Sequence, residues 1–128
     1  MFETGTIYSN FTPIIKSPVI AYRISGPDVL EILKRLTKKN FSKDHSRVRF
    51  IKLYKNNGQL LDECSVVYFK SPKSFTGEDV CEVFLHGSPL IASQFEQTLK
   101  EFKISGLRLA KNGEFSYRSV LNNKNSLK

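Results

Sequence analysis

Apolar and polar positions alternate in short runs along most of this chain, and only two stretches switch to the three-to-four spacing of a helix. Thr4–Ser9 (TGTIYS) and Pro18–Ile24 (PVIAYRI) are short and rich in β-branched and aromatic residues, which suits strands; the FTPIIKS between them, with a proline near each end, reads as a loop. Ser25-Gly26-Pro27-Asp28 then opens a helix. Proline fits a first turn, aspartate complements the positive helix end, and Val29, Ile32, Leu33 and Leu36 recur at helical spacing until about Thr37. VRFIKLY and LLDECSVVYF flank Asn56-Asn57-Gly58, an Asn-Gly between alternating runs that predicts an antiparallel hairpin. After the turn-rich Ser71–Asp79, the alternation in DVCEVFLHG points Glu82 and His86 to one side of a strand. Ser88-Pro89 starts a second helix with Leu90, Ile91, Phe95, Leu99 and Phe102 on one face, Gly106–Ala110 is a short last strand, and Asn112–Lys128 is a thinly apolar tail. No internal repeat appears. Strand runs with two main helices and a hairpin predict an α+β fold on a mixed, mostly antiparallel sheet.

Composition adds bounds. With 128 residues, 40% hydrophobic and 25% charged, ten Phe and five Tyr, the chain is one folded domain rather than a disordered segment. No apolar run approaches the roughly 20 residues of a membrane span, and MFETGTIYSN lacks a basic-then-apolar signal layout, so neither a membrane-spanning nor a secreted protein is expected. Cys64 and Cys81 have no CxxC spacing and read as small core hydrophobes of a reducing compartment, and no metal site is expected.

The net charge of +8 is uneven. Between Thr37 and Lys55 stand Lys38, Lys39, Lys43, Arg47, Arg49, Lys52 and Lys55 against Asp44 alone, whereas Leu61–Glu82 carries Asp62, Glu63, Glu78, Asp79 and Glu82 against Lys70 and Lys73. A basic face attracts phosphate polymers, and solvated lysine also keeps small proteins soluble; both readings stand.

Chemistry is sparse. There is no G-x-x-x-x-G-K-[ST], no G-x-G-x-x-G and no G-x-S-x-G, and the histidines are His45 and His86 only, so no catalytic residue is assigned and the chain alone is not expected to hydrolyse GTP or ATP. His86 is either a structural histidine at a strand end or a proton carrier beside Glu82. Three charges stand where apolar elements ought to have none: Arg23 in PVIAYRI, Glu82 in VCEVFL, and Lys124 after VLNN. One reading is an internal Arg23–Glu82 ion pair or solvent-facing positions. The other is a small-molecule pocket in which Glu82 accepts paired N–H donors while Arg23 and Lys124 hold acceptors or carboxylates.

RISGPDVLEIL (Arg23–Leu33), SFTGEDVCEVFLHGS (Ser74–Ser88) and GLRLAKNGEFSYRSVLNNK (Gly106–Lys124) together resemble the landmark stretches of the N-terminal domain of the tRNA-modification GTPase family MnmE, also called TrmE. The resemblance runs over essentially the whole chain. It implies a fold akin to the folate-binding aminomethyltransferase of glycine cleavage, a domain spanning residues 1–121 with 122–128 beginning the link to a helical domain, a constitutive homodimer, and a bound 5-formyltetrahydrofolate or related tetrahydrofolate. By motif, the folate contacts fall on Arg23, Glu82 and Lys124. The family works on C5 of the wobble uridine of tRNA with a flavoprotein partner, MnmG or GidA, and uses GTP with Mg and K in a separate GTP-binding domain; a cytoplasmic protein is implied, or a mitochondrial one in a eukaryote. The sequence departs from the family pattern at PIIKSPV, which lacks the usual glycines, at His86-Gly87-Ser88 in place of HGG, and at Ser126-Leu127 in place of Asp-Leu. No GTP-binding sequence lies within these residues, so a piece of a longer protein and a standalone copy both remain open. So do two other roles, a basic RNA-contact module and a structural dimer arm of a decayed copy without folate binding.

Overall fold

The computed structural model describes residues 4–12 and 18–122. Its elements run β1 (Ile7–Asn10), β2 (Val19–Ser25), α1 (Val29–Thr37), β3 (Val48–Tyr54), β4 (Leu60–Phe69), β5 (Val80–His86), α2 (Pro89–Glu101), β6 (Arg108–Leu109) and α3 (Glu114–Leu121). The strands form one sheet in the order β3-β4-β5-β2-β1-β6. Only β6 lies parallel to its neighbour, β1; the other pairings are antiparallel, so the sheet is mixed and mostly antiparallel and the fold is α+β as expected.

Alternation sorts the two faces. Tyr22 and Ile24 of β2, Cys64, Val66 and Tyr68 of β4, and Cys81, Val83 and Leu85 of β5 are buried against Val29, Ile32, Leu33 and Leu36 of α1 and Phe95 and Leu99 of α2. Each such aliphatic or aromatic side chain contributes about 1.5–3 kcal/mol on burial, so this face holds the sheet and helices together. Residues of opposite parity, among them Ala21, Arg23, Glu82 and Phe84, face the other way. Toward the β3 edge that second face is bare: Val48 and Phe50 are 66% and 67% exposed.

The Asn-Gly hairpin joins β3 to β4 as the pattern predicts, and Ser88 caps α2, its Oγ accepting from the Ile91 N–H at 3.4 Å, with Pro89 in the first turn. Ser88, a departure from the family's second glycine, therefore serves as a helix cap. The first helix begins later than the sequence suggests: Ser25 closes β2, and α1 starts at Val29. Asp28 makes no side-chain cap; its carboxylate accepts from Thr6 Oγ1 at 2.9 Å and its N–H donates to the same oxygen at 2.9 Å. That lock brings Gly26, at φ +143°, so close that a Cβ would lie 2.5 Å from the Thr6 Cα. β1 also starts later than the apolar run, because Gly5 at φ +108° breaks the extended chain. The last strand is only two residues long, and the thinly apolar tail contains an unanticipated helix, α3. Its buried residues are Glu114, Arg118 and Ser119, so no apolar periodicity marks it. Among the described residues no helix is long and apolar enough to cross a membrane.

Candidate functional site

β2 and β5 are neighbours with Arg23 directly opposite Glu82. Both side chains leave the sheet on the face without α1 and α2, and Arg23 donates to Glu82 Oε2 from Nε at 3.1 Å, with Nη2 also at 3.1 Å. The pair is 21% and 17% exposed, neither sealed nor free. Phenylalanines gather round it: the Arg23 guanidinium carbon lies 4.4 Å from the Phe11 ring centroid, 4.9 Å from Phe75 and 5.8 Å from Phe115. These rings come from three places, the segment after β1, the Ser71–Asp79 loop and α3. A guanidinium prefers ring faces to bare hydrocarbon, which is why one basic side chain can be accommodated here. The structure thus realises the ion pair between two of the three sequence-marked charges. Lys124 lies outside the described residues, as does most of the PIIKSPV departure.

A second layer fixes the loop that carries Phe75 and the helix that carries Phe115. Ser25 Oγ, one strand position pair beyond Arg23, meets Thr76 Oγ1 at 2.7 Å and donates to Glu78 Oε1 at 2.7 Å. Arg118 donates through Nη1 to Glu78 Oε1 at 3.0 Å and to the Gly5 carbonyl at 2.7 Å, and through Nη2 to Glu114 Oε2 at 3.2 Å. Glu114, fully buried, also accepts from both Arg108 terminal nitrogens, at 2.8 and 2.7 Å, and from the Lys111 N–H at 3.0 Å. The Arg108 hydrogen bonds, helped by those from Lys111 and Arg118, outweigh burial and hold the Glu114 carboxyl at about 2. Asn122 then closes α3 onto the loop, its Nδ2 donating to the Thr76 carbonyl at 2.9 Å.

Other candidate groups stand apart. His86 shares the face of Glu82 but sits four residues along the strand, about 13 Å away. Its Nδ1 pairs with Asp62 Oδ1 at 2.9 Å while its N–H donates to Asp62 Oδ2 at 2.9 Å, a structural role at a strand end. Cys64 and Cys81 are buried on the helix side, where desolvation pushes the Cys64 thiol up to about 12 and the Cys81 thiol higher still. Among the described residues no group of three or more His, Cys, Asp or Glu could hold a metal ion.

Reading residues by type alone finds Arg23 and Glu82 because a charge in an apolar strand is conspicuous. It misses Phe11, Phe75 and Phe115, which look like ordinary loop anchors, and the Arg108–Glu114–Arg118–Glu78 chain. The only sequence signals for these are the SFTGED and GEF stretches themselves.

Comparison with known proteins agrees with those stretches. Residues 6–124 match the family model described as "GTP-binding protein TrmE N-terminus". The tRNA modification GTPase MnmE of Helicobacter pylori is 46% identical over 123 residues, which is 95% of this chain and 25% of the relative. The proteins of the same name from Rickettsia canadensis and Malacoplasma penetrans are 43% and 42% identical over 93% and 96% of this chain, or 26% and 27% of their own lengths. The chain spans about a quarter of the length of the curated relatives it matches. Carrying the strand, loop and helix stretches that build the Arg23–Glu82 site, it belongs to the MnmE/TrmE N-terminal domain family.

Proposed function

We propose that this chain is the folate-binding and dimerising module of an MnmE-type tRNA-modification GTPase, serving the change made at C5 of the wobble uridine and non-catalytic by itself. The observation that supports the folate reading most is the half-buried Arg23–Glu82 pair within its collar of Phe11, Phe75 and Phe115. The donor set suits a reduced pterin. One edge of that heterocycle presents an amino group and a ring N–H, which a single carboxylate accepts together, and Glu82 Oε1 is uncommitted among the described residues. Phe75, 44% exposed, offers a ring for the flat heterocycle to stack on. Arg23 and Lys124 supply cations for the pterin carbonyl and the glutamyl carboxylates. When bound, the folate would supply the one-carbon unit; the chain's own residues bind and orient it.

Dimerisation is supported by the bare half of the second sheet face, where Val48 and Phe50, two positions apart on one strand, are both about two-thirds exposed. Partners of the longer protein would be tRNA and the flavoprotein MnmG or GidA. GTP, Mg and K belong to the rest of such a protein, since no phosphate-cradling loop occurs in this chain. A bacterial cytoplasmic setting, or a mitochondrial one in a eukaryote, goes with this role.

Titration calorimetry with 5-formyltetrahydrofolate tests the reading. Saturable binding by the wild-type chain and its loss in Glu82→Ala support it; equal heats for both proteins remove Glu82 from the site.

A further inference from the structure

The cations of the sequence's basic segment are redistributed by the fold. Arg49 points inward, its Nη1 donating to Asp44 Oδ2 at 2.9 Å and its guanidinium carbon 4.7 Å from the ring centroid of the buried Phe41. It is therefore spent on holding the loop between α1 and β3. That loop is pinned in turn to the end of β4, where Ser46 donates its N–H to the Tyr68 carbonyl at 2.7 Å and the Lys70 N–H donates to His45 Nδ1 at 2.9 Å. Two tight turns consequently lie side by side at one end of the sheet. One carries Lys43 and Arg47, the other closes from Lys73 N–H to the Lys70 carbonyl at 2.8 Å.

Lys43, Arg47, Lys70 and Lys73 are all exposed. The acids nearby are already engaged. Asp44 is 14% exposed and held by Arg49, with Arg47 only loosely associated at 3.6 Å and itself 74% exposed. Asp79 accepts from Tyr68 Oη at 3.1 Å and from the Ser71 N–H at 2.9 Å, and Glu78 is held by Arg118. The cations of this rim are presented to solvent while its carboxylates are turned to structural work. Lys70 and Lys73 belong to the stretch that, by sequence count, is acidic.

From this we infer that the rim formed by Lys43, Arg47, Lys70 and Lys73 is a docking surface for the phosphate backbone of an RNA. The choice of RNA rests on the proposed role in tRNA modification; the charge arrangement stands without it. Four exposed cations carried on two anchored turns present a local positive surface to phosphate oxygens, and binding gains from the counterions released. Contacts of this kind position a nucleic acid without reading its bases.

The test measures retention of an unmodified tRNA transcript by the 128-residue chain, titrated in monovalent salt from about 50 to about 200 mM. Four phosphate contacts predict that wild-type affinity falls roughly 50- to 150-fold across that range. Reversing the four cations (K43E, R47E, K70E and K73E together) should abolish retention at the low-salt end, while reversing two lysines near the C-terminal end of α2, Lys100→Glu and Lys103→Glu, should leave it within about twofold. Far-UV dichroism of the four-site variant guards against misfolding, and single reversals giving graded losses serve if that variant does not fold. Retention should persist in Glu82→Ala, which keeps this inference distinct from folate binding. Undetectable wild-type retention at low salt, or equal retention by the four-site variant, overturns it.

Discussion

Arg23 and Glu82 face each other on adjacent strands, and each is the other's only ion-pair partner among the described residues. A pair about four-fifths buried adds little net stability as a pair, but removing one partner strands the other charge. Replacing Glu82 by alanine should therefore lower unfolding stability in urea by on the order of 1–3 kcal/mol, softened by the phenylalanine rings around Arg23. Its effect on folate should be separate, roughly 100-fold in affinity, because two charge-assisted hydrogen bonds to the pterin edge are lost at once. A stability loss with unchanged folate affinity would mean that the pair is purely structural. On the other side of the sheet, burial raises both thiols, Cys64 to about 12. Neither should react with an aromatic disulfide reagent in native buffer at neutral pH, and both should react fully in denaturant; fast native labelling would contradict their placement in the core.

At the scale of elements, α3 behaves unlike the other two helices. It is clasped by charge rather than by an apolar stripe, with Glu114 at the centre of the clasp. Its folded carboxyl sits near 2 against an ordinary 4.5, so it contributes stability above about pH 4.5 that is lost as the pH falls toward 2. Glu114→Gln should cost on the order of 2–3 kcal/mol at neutral pH and flatten the acid limb of the stability profile between those values. Denaturant unfolding at pH 7, 4.5 and 2.5 measures both effects, and an acid limb equally steep in the variant would contradict the assignment. Because Phe115 rides on α3, the same variant should weaken folate binding. Pattern reasoning could not see this helix, since the periodicity it follows is that of hydrophobic burial and α3 buries Glu114, Arg118 and Ser119 instead. It succeeded where burial is apolar or turn chemistry is strict: Ile32, Leu33 and Leu36 mark α1, Ser88-Pro89 marks α2, and Asn57-Gly58 marks the hairpin. Of the site, the two charges were legible because strands of Val, Ile and Phe rarely carry them. The three phenylalanines around them were not, because only tertiary contact distinguishes an aromatic that lines a site from one that anchors a loop.

For the molecule as a whole, the sheet divides labour between its faces. One is closed by α1 and α2; the other is walled at the Arg23–Glu82 end by α3 and the Ser71–Asp79 loop and left bare near β3. If the bare half is covered by a second copy, sedimentation equilibrium should find a dimer, and a charge introduced there, Phe50→Glu, should shift it to monomer with the fold intact. A monomeric wild-type chain would remove dimerisation from the proposal. The central claim concerns the walled half, and a crystal structure of the chain soaked with 5-formyltetrahydrofolate tests it most directly. The account predicts the pterin edge on the Glu82 carboxylate at hydrogen-bond distance, with Phe75 against the ring and Arg23 turned toward ligand oxygen. A folate bound elsewhere, leaving Arg23 and Glu82 joined to each other with no ligand atom between the phenylalanines, would contradict it.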